Sequence, residues 1–137
     1  MKRVHALQDL SREHHEALVL ARRACATAAD PHGLDVQAQR AHLLERWAEQ
    51  FAPHFQLEEQ TLLPALERAG QHEPVATALA QHACLCDLIE RIRHGDVLAL
   101  APWGDAMAIH VRFEERTLFP LAQSVFEPSE LTDVMKQ

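Results

Sequence analysis

The sequence predicts an all-α protein, an antiparallel up-down-up-down four-helix bundle that occupies the chain as a single domain, 1–137. Strand patterns are missing, because no run alternates β-branched with polar residues and aromatic residues make up only 5% of the chain. Ala, Leu, Glu, Gln and Arg dominate, a mixture that favours helix. Turn-forming residues cluster at few places, and short connections between helices favour antiparallel neighbours.

The turn clusters separate four helical stretches. Residues 30–33 and 70–74 and the pair 95–96 are rich in Gly, Pro and Asp, and Pro128 closes the main body. The predicted helices cover about 7–29, 35–68, 74–94 and 102–126. Ser129 is expected to cap a short C-terminal tail helix.

Three prolines fall inside the predicted helices. Pro53 lies within the second stretch, where the missing N–H should kink the helix or open its hydrogen-bond ladder. Pro64 and Pro120 lie late in the second and fourth stretches, where a bend or local unwinding costs less.

Composition argues against several classes of function. The chain has 13 Lys and Arg against 20 Asp and Glu, a net charge of −7, which disfavours nucleic acid or an anionic membrane surface as a partner. No apolar run approaches the roughly 18–20 residues of a membrane span, and without a signal-peptide pattern we expect a cytoplasmic protein. Three cysteines do not make a disulfide framework. Ten histidines, by contrast, point to a metal.

The second and fourth stretches contain an internal repeat. Residues 47–64 are WAEQFAPHFQLEEQTLLP, and residues 103–120 are WGDAMAIHVRFEERTLFP. Packing alone explains a shared leucine pattern, but it does not explain the shared His-x-x-x-Glu-Glu-x-Thr-Leu-x-Pro. The chain is therefore interpreted as two related hairpins, about 5–68 and 74–126, each with one His-bearing helix followed by one His-x-x-x-Glu helix.

The spacing of the repeat places its His and first Glu together. Residues i and i+4 share one face of a helix, so His54 projects with Glu58 and His110 projects with Glu114. Both pairs fall on the apolar side of their helix. Glu59 and Glu115 lie one step further round, where they can reach solvent or a second layer of residues behind the first.

The other two helices each offer a single inward histidine. In the third helix, periodicity places His82 in line with Leu79 and Cys86. In the first helix, His14 lies near the centre of the apolar stripe and His15 about 100° away, toward its edge. We therefore prefer His14 to His15 as the inward residue.

Four imidazoles and two carboxylates are thus expected in one apolar core. Uncompensated burial of two carboxylates is costly. A pair of divalent cations would remove that cost, and nitrogen and oxygen donors suit Fe, Mn or Zn. A metal-free bundle, in which each histidine is an ordinary hydrogen-bonded core residue, is the alternative. Candidates for the second layer of the site are His15, Cys86, Glu59 and Glu115.

The order of these motifs resembles the hemerythrin-like HHE cation-binding family over about residues 5–126. The shared features are a lone His on helices 1 and 3 and H-x-x-x-E-E-x-x-L-[LF]-P on helices 2 and 4. The resemblance implies a four-helix bundle with a non-haem di-iron centre, for which Zn or Mn could substitute. It implies O₂, NO or peroxide as the small ligand, bound or sensed in the cytosol. The implied metal ligands are His14, His54, Glu58, His82, His110 and Glu114.

Two departures from the oxygen-carrying hemerythrins disfavour stable O₂ carriage. Cys86 stands where those proteins have a second His on helix 3, and Glu114 follows His110 by four residues where they have Asp after five. Fewer imidazoles should leave coordination positions for an exogenous ligand. A small di-iron oxidoreductase, an NO- or peroxide-detoxifying enzyme, and an iron storage or donor protein are the alternatives. The lack of Tyr weakens the enzyme alternatives, so binding or sensing is preferred; no protein partner is indicated.

Overall fold

The computed structural model describes residues 2–30, 33 and 35–136, and the regular structure within these ranges is helical, without a strand. The predicted all-α class is therefore confirmed. Pro31 and His32 of the first predicted turn lie outside the described residues. In the described part of the chain, five helical runs follow one another: α1 (His5–Ala28), α2 (36–68), α3 (His72–Arg93), α4 (100–125) and α5 (Pro128–Val134).

The short tail helix α5 is present, but its cap is not the predicted one. The helix begins at Pro128, and Glu127 is the capping residue instead of Ser129. The Glu127 side chain accepts from the backbone of Glu130, whose own side chain accepts from the Glu127 N–H at 2.9 Å. This reciprocal pair forms a capping box, and it satisfies donors at the helix start that a lone serine would leave open.

Helices α2 and α4 are both interrupted. Helix α2 consists of Val36–Arg46, a wider π-helical turn Trp47–Phe51, then Ala52–Gln60 and Leu62–Arg68. Thr61 joins the last two segments outside the helical region, with φ −123° and ψ −74°. Helix α4 consists of Leu100–Phe113, a π-helical turn Glu114–Leu118 and Phe119–Val125, and a 3₁₀ turn Val97–Ala99 leads into it.

Each interruption precedes one of the three prolines. Pro53 and Pro120 lie in the first turn after a π-helical turn, and Pro64 lies in the first turn after Thr61. Proline has no N–H to donate, so it is tolerated where a new segment begins. The predicted opening of the ladder at Pro53 is confirmed, whereas the break near Pro64 lies three residues earlier, at Thr61.

Helices α1 and α4 pack closely and run in opposite directions. Arg3, just before α1, contacts Glu115 and Gln123 late in α4, and Cys25, late in α1, faces Asp105 early in α4. The helices approach closely at Gly104, where an added Cβ would lie 2.6 Å from the Ala21 carbonyl oxygen. Only glycine fits this contact.

The apolar core of the described residues consists of two clusters. One contains Ala17, Leu20, Phe51, Phe55, Leu85, Trp103, Met107 and Val111 among others. The second contains Leu7, Leu10, Leu62, Ala78, Leu118 and Phe119 among others. In α1 and α3 the site histidine lies between the two clusters along the helix, and in α2 and α4 the glutamate of the pair does so. The histidines of α2 and α4 lie next to Phe55 and Val111, the last residues of these helices in the first cluster. The six side chains thus form one polar layer inside an apolar core. None of the helices in the described part of the chain is long and apolar enough to cross a bilayer.

Candidate metal centre

All six predicted metal ligands are buried, and none of them is more than 4% exposed. Their donor atoms form two groups, each lying within a span of 4.8 Å, and both groups contain Glu58 and Glu114. The first group adds His14 and His54, and the second adds His82 and His110. The polar layer therefore has two halves, which we name the His14/His54 half and the His82/His110 half.

The two glutamates lie between imidazoles of both halves. Glu114 Oε1 is 2.8 Å from the Nε2 of His14 and 3.4 Å from the Nε2 of His110. Glu58 has one oxygen 3.2 Å from the Nε2 of His54 and the other 3.1 Å from the Nε2 of His82. Each carboxylate can therefore serve both halves at once, as a carboxylate that bridges two cations would.

Several of these inward atoms have no hydrogen-bond partner within the described ranges. They are the Nε2 atoms of His54, His82 and His110, both Glu58 carboxylate oxygens, and Glu114 Oε2. An unpaired buried polar group costs about 1–3 kcal/mol, and more when it is charged, so native proteins have few. Here they face one another, and they are nitrogen and oxygen donors of the kind that divalent transition metals take. The donor set therefore fits a divalent cation centre.

The outward Nδ1 atom of every imidazole in the layer has an oxygen partner. The pairs are His14–Glu115 at 2.7 Å, His54–Glu13 at 2.7 Å, His82–Glu59 at 2.8 Å and His110–Gln81 at 2.6 Å. An Nδ1–H that donates outward leaves the Nε2 lone pair directed inward, toward the other donors. Such partners also fix the ring orientation and raise the basicity of a ligating imidazole.

Of the four residues expected in the second layer, two contact an imidazole of the polar layer and two are exposed. Glu59 and Glu115 contact His82 and His14, as their position beside the first Glu suggests. His15 and Cys86 are exposed. His14, in contrast to His15, is 4% exposed and faces the layer.

The error at Cys86 comes from the choice of face in α3. Two neighbouring faces of α3 are apolar, one through Leu79 and Cys86 and the other through Ala78 and Leu85. Periodicity does not choose between them, because both include Val75, His82 and Ile89. The structure buries Ala78 and Leu85 completely and leaves Leu79 42% exposed. Packing against α4 thus selects the second face. Cys86 lies at the surface beside Glu59, where partial burial and the Glu59 charge raise the pKa of its thiol.

Glu13 and Gln81 are the functional-site residues that the sequence analysis missed. Each stands immediately before the lone histidine of its hairpin, in Glu13-His14 and Gln81-His82. The signal in the sequence is that both hairpins have a polar hydrogen-bonding residue at this same position, directly before the histidine. It was not recognised because neither residue belongs to the repeated His-x-x-x-Glu motif.

The charges in the layer depend on one another. Burial raises the pKa of Glu58, and the nearby Glu114 charge raises it further. Burial lowers the pKa of His54, but the nearby carboxylates of Glu114, Glu13 and Glu58 outweigh this and hold it well above its usual value. Burial opposes ionisation of Glu114 as well, yet the contact with His110 holds that pKa well below the usual range. Protons and a cation would therefore compete for the same sites.

Two phenylalanines pack on imidazoles of the layer. Phe55 stacks on His82 with ring centroids 4.1 Å apart, and Phe119 stacks on His14 at 5.5 Å. Both rings belong to the apolar clusters on either side of the layer. They restrict the imidazole orientations and keep the donor atoms away from water.

The helical fold and its buried His/Glu layer define a class, the helical proteins that bind cations through imidazole and carboxylate groups. The family model of the hemerythrin HHE cation binding domain matches residues 5–122. The chain belongs to this family. No curated protein and no solved structure is significantly similar to it.

Proposed function

We propose that this protein is a non-haem di-iron protein that binds or senses a small ligand, O₂, NO or peroxide. The main supporting observation is the pair of four-residue donor groups that share Glu58 and Glu114. One group alone would suit a single ion, but two groups with common carboxylates suit two adjacent ions. The proposed ligands are the predicted ones: His14, His54, Glu58, His82, His110 and Glu114.

Iron is the proposed native metal, with Zn or Mn as substitutes, because sites of nitrogen and oxygen donors discriminate poorly among divalent ions. Iron would supply redox chemistry and coordination positions for the small ligand. The chain would supply two imidazoles to each half and two shared carboxylates, which leaves positions free on a metal of octahedral preference. The apolar clusters on both sides would exclude bulk water from the layer.

Binding or sensing is preferred to catalysis because of what surrounds the layer. The sequence contains no Tyr, and the buried titratable side chains of the described ranges all belong to the donor set. Cys86, the thiol expected beside the donors, lies at the surface. An oxidoreductase or a detoxifying enzyme therefore has less support.

The proposal includes the architecture and the location. The opposite directions of α1 and α4 support an up-down-up-down bundle, and so does the contact of Arg40, early in α2, with carbonyls of Ile92 and Arg93 at the end of α3. We propose one domain, 1–137, of two hairpins, about 5–68 and 74–126. Free thiols at Cys25, Cys84 and Cys86 are typical of a reducing compartment and support the cytoplasm.

Elemental analysis of protein produced with ample iron and purified without chelators tests the proposal. We expect about two metal ions per chain, and spectra of the anaerobically reduced protein that change on exposure to air, NO or peroxide. His14→Ala should lose the ion of the His14/His54 half, whereas the neighbouring His15→Ala, at an exposed position, should keep both ions. A stoichiometry near zero in the unaltered protein would refute the proposal, and unchanged spectra with all three reagents would refute its ligand-binding part.

A further inference from the structure

The two halves of the polar layer have identical first-layer donors but different outer partners. In the His14/His54 half, both outer partners are carboxylates, Glu115 and Glu13. In the His82/His110 half, one partner is the carboxylate Glu59 and the other is the neutral amide of Gln81. The related positions of the two hairpins thus differ by one negative charge.

The difference is confined to Glu13 and Gln81. Their oxygens lie at nearly equal distances from the histidine Nδ1 atoms, 2.7 Å for Glu13 and 2.6 Å for Gln81. The imidazoles that they contact, those of His54 and His110, are both fully or almost fully buried. Geometry and burial are therefore matched, and the charge of the acceptor is the remaining variable.

Neighbouring cations do not cancel this difference. Arg3 lies 3.2 Å from Glu115 and offsets part of the charge beside His14, so the comparison of the halves rests on the contact of Glu13 with His54 against that of Gln81 with His110. Within the described part of the chain, by contrast, Glu13 forms an ion pair only with His54. The Glu13 side chain is 33% exposed, so solvent weakens its charge without removing it.

We propose that the two halves bind metal with unequal affinity, and that the His14/His54 half is the tighter one because Glu13 contacts His54 where Gln81 contacts His110. The inference rests on the proposed di-metal function and adds which ion binds first. A hydrogen bond from an imidazole to a carboxylate is charge-assisted, and it makes the inward Nε2 a stronger donor than a bond to an amide does. Glu13 and Gln81 are positioning residues, since they act on the cation through a histidine.

Proteins with one half disabled give the cleanest test. His82→Ala should leave the His14/His54 half intact, and His14→Ala should leave the His82/His110 half intact. Each variant then binds one ion, so repulsion between two bound ions does not affect the measured affinity. Co(II) titration of the metal-free proteins, with its visible absorption as the signal and a competing chelator, measures each affinity. We expect tighter binding by His82→Ala than by His14→Ala, by about 10- to 100-fold, the usual effect of an outer partner.

Reciprocal exchanges then assign the difference to the two residues. Glu13→Gln should weaken Co(II) binding in the His82→Ala protein, and Gln81→Glu should strengthen it in the His14→Ala protein. Both changes keep an acceptor oxygen of the same reach. Asp9→Asn, which removes an exposed charge one turn before Glu13, is the matched control and should leave the affinity unchanged.

The intact chain provides a measurement that does not depend on the disabled halves. There Glu13→Gln should weaken the first Co(II) affinity, and Gln81→Glu should strengthen the second. Equal Co(II) affinity of the His82→Ala and His14→Ala proteins, or no response to either exchange, would overturn the inference. If the unaltered chain still binds two ions in that case, the proposed function stands. Failure of the unaltered chain to bind Co(II) or iron at all would refute both.

Discussion

The motif of α2 and the motif of α4 have nearly the same sequence but different local structures. In α2 the π-helical turn Trp47–Phe51 precedes His54, whereas in α4 the π-helical turn Glu114–Leu118 begins at the first Glu of the motif. Both motifs nevertheless bury their His and first Glu in the same layer. The local repeat therefore determines which residues face inward, and the widened turn adjusts each helix to its own neighbours.

The two motifs also differ in how tightly the protein encloses them. Trp103 is completely buried, and the residue after it, Gly104, touches the backbone of α1. The corresponding Trp47 is 5% exposed, and Ala48 after it lies at the surface. The two positions align in the repeat, but Ala48 lies at the surface of its helix, whereas Gly104 is needed because a larger side chain would meet α1.

Removal of the first Glu of either motif should have the largest effect. Glu58→Ala or Glu114→Ala deletes a carboxylate shared by both halves, so we expect loss of both ions by elemental analysis. Metal binding also contributes free energy of folding, so these variants should melt lower than the unaltered protein when iron is present. The matched variants Glu59→Ala and Glu115→Ala remove only an outer partner and should weaken binding by about 10- to 100-fold. Equal loss in all four would show that the motif's two glutamates are equivalent.

Exchange of the residue after each Trp should have the next largest effect. In Gly104→Ala the new Cβ would meet the Ala21 carbonyl oxygen at 2.6 Å and Cys25 Sγ at 2.7 Å. We expect a loss of about 1–3 kcal/mol in the free energy of unfolding, measured by urea denaturation, despite the better helix propensity of Ala. Ala48→Gly should cost no more than about 1 kcal/mol, the propensity difference alone. A stabilised Gly104→Ala protein would show that the approach of α1 and α4 adjusts freely.

The smallest predicted effect distinguishes the second Glu of each motif. Partial burial raises the pKa of the Cys86 thiol most, and the Glu59 charge raises it further. Alkylation of Cys86 should therefore be slow near neutral pH and accelerate as the pH rises. Glu59→Gln should move the midpoint of this pH profile downward, followed by mass spectrometry of iodoacetamide labelling. Glu115→Gln, the same change in the other motif, should leave the Cys86 profile unchanged. An unchanged profile in Glu59→Gln would mean that burial alone sets the thiol pKa.

Helical periodicity was sufficient where only one apolar face was available. It placed His14 inward and His15 outward, and the His-x-x-x-Glu spacing aligned His54 with Glu58 and His110 with Glu114. It failed in α3, where the faces through Cys86 and through Leu85 were equally apolar. The contact with α4 chose between them, and a single helix contains no information about that contact.

The sequence by itself determined the helical class, the repeated motif and the identity of the six buried donors, because spacing along one helix dictates which residues share its face. Tertiary structure decided how donors of four helices combine into two halves with common carboxylates, and which oxygen supports each imidazole. Those partners come from different helices, as Glu13 does for His54 and Gln81 for His110. Their meeting depends on the register between packed helices, which local periodicity does not specify.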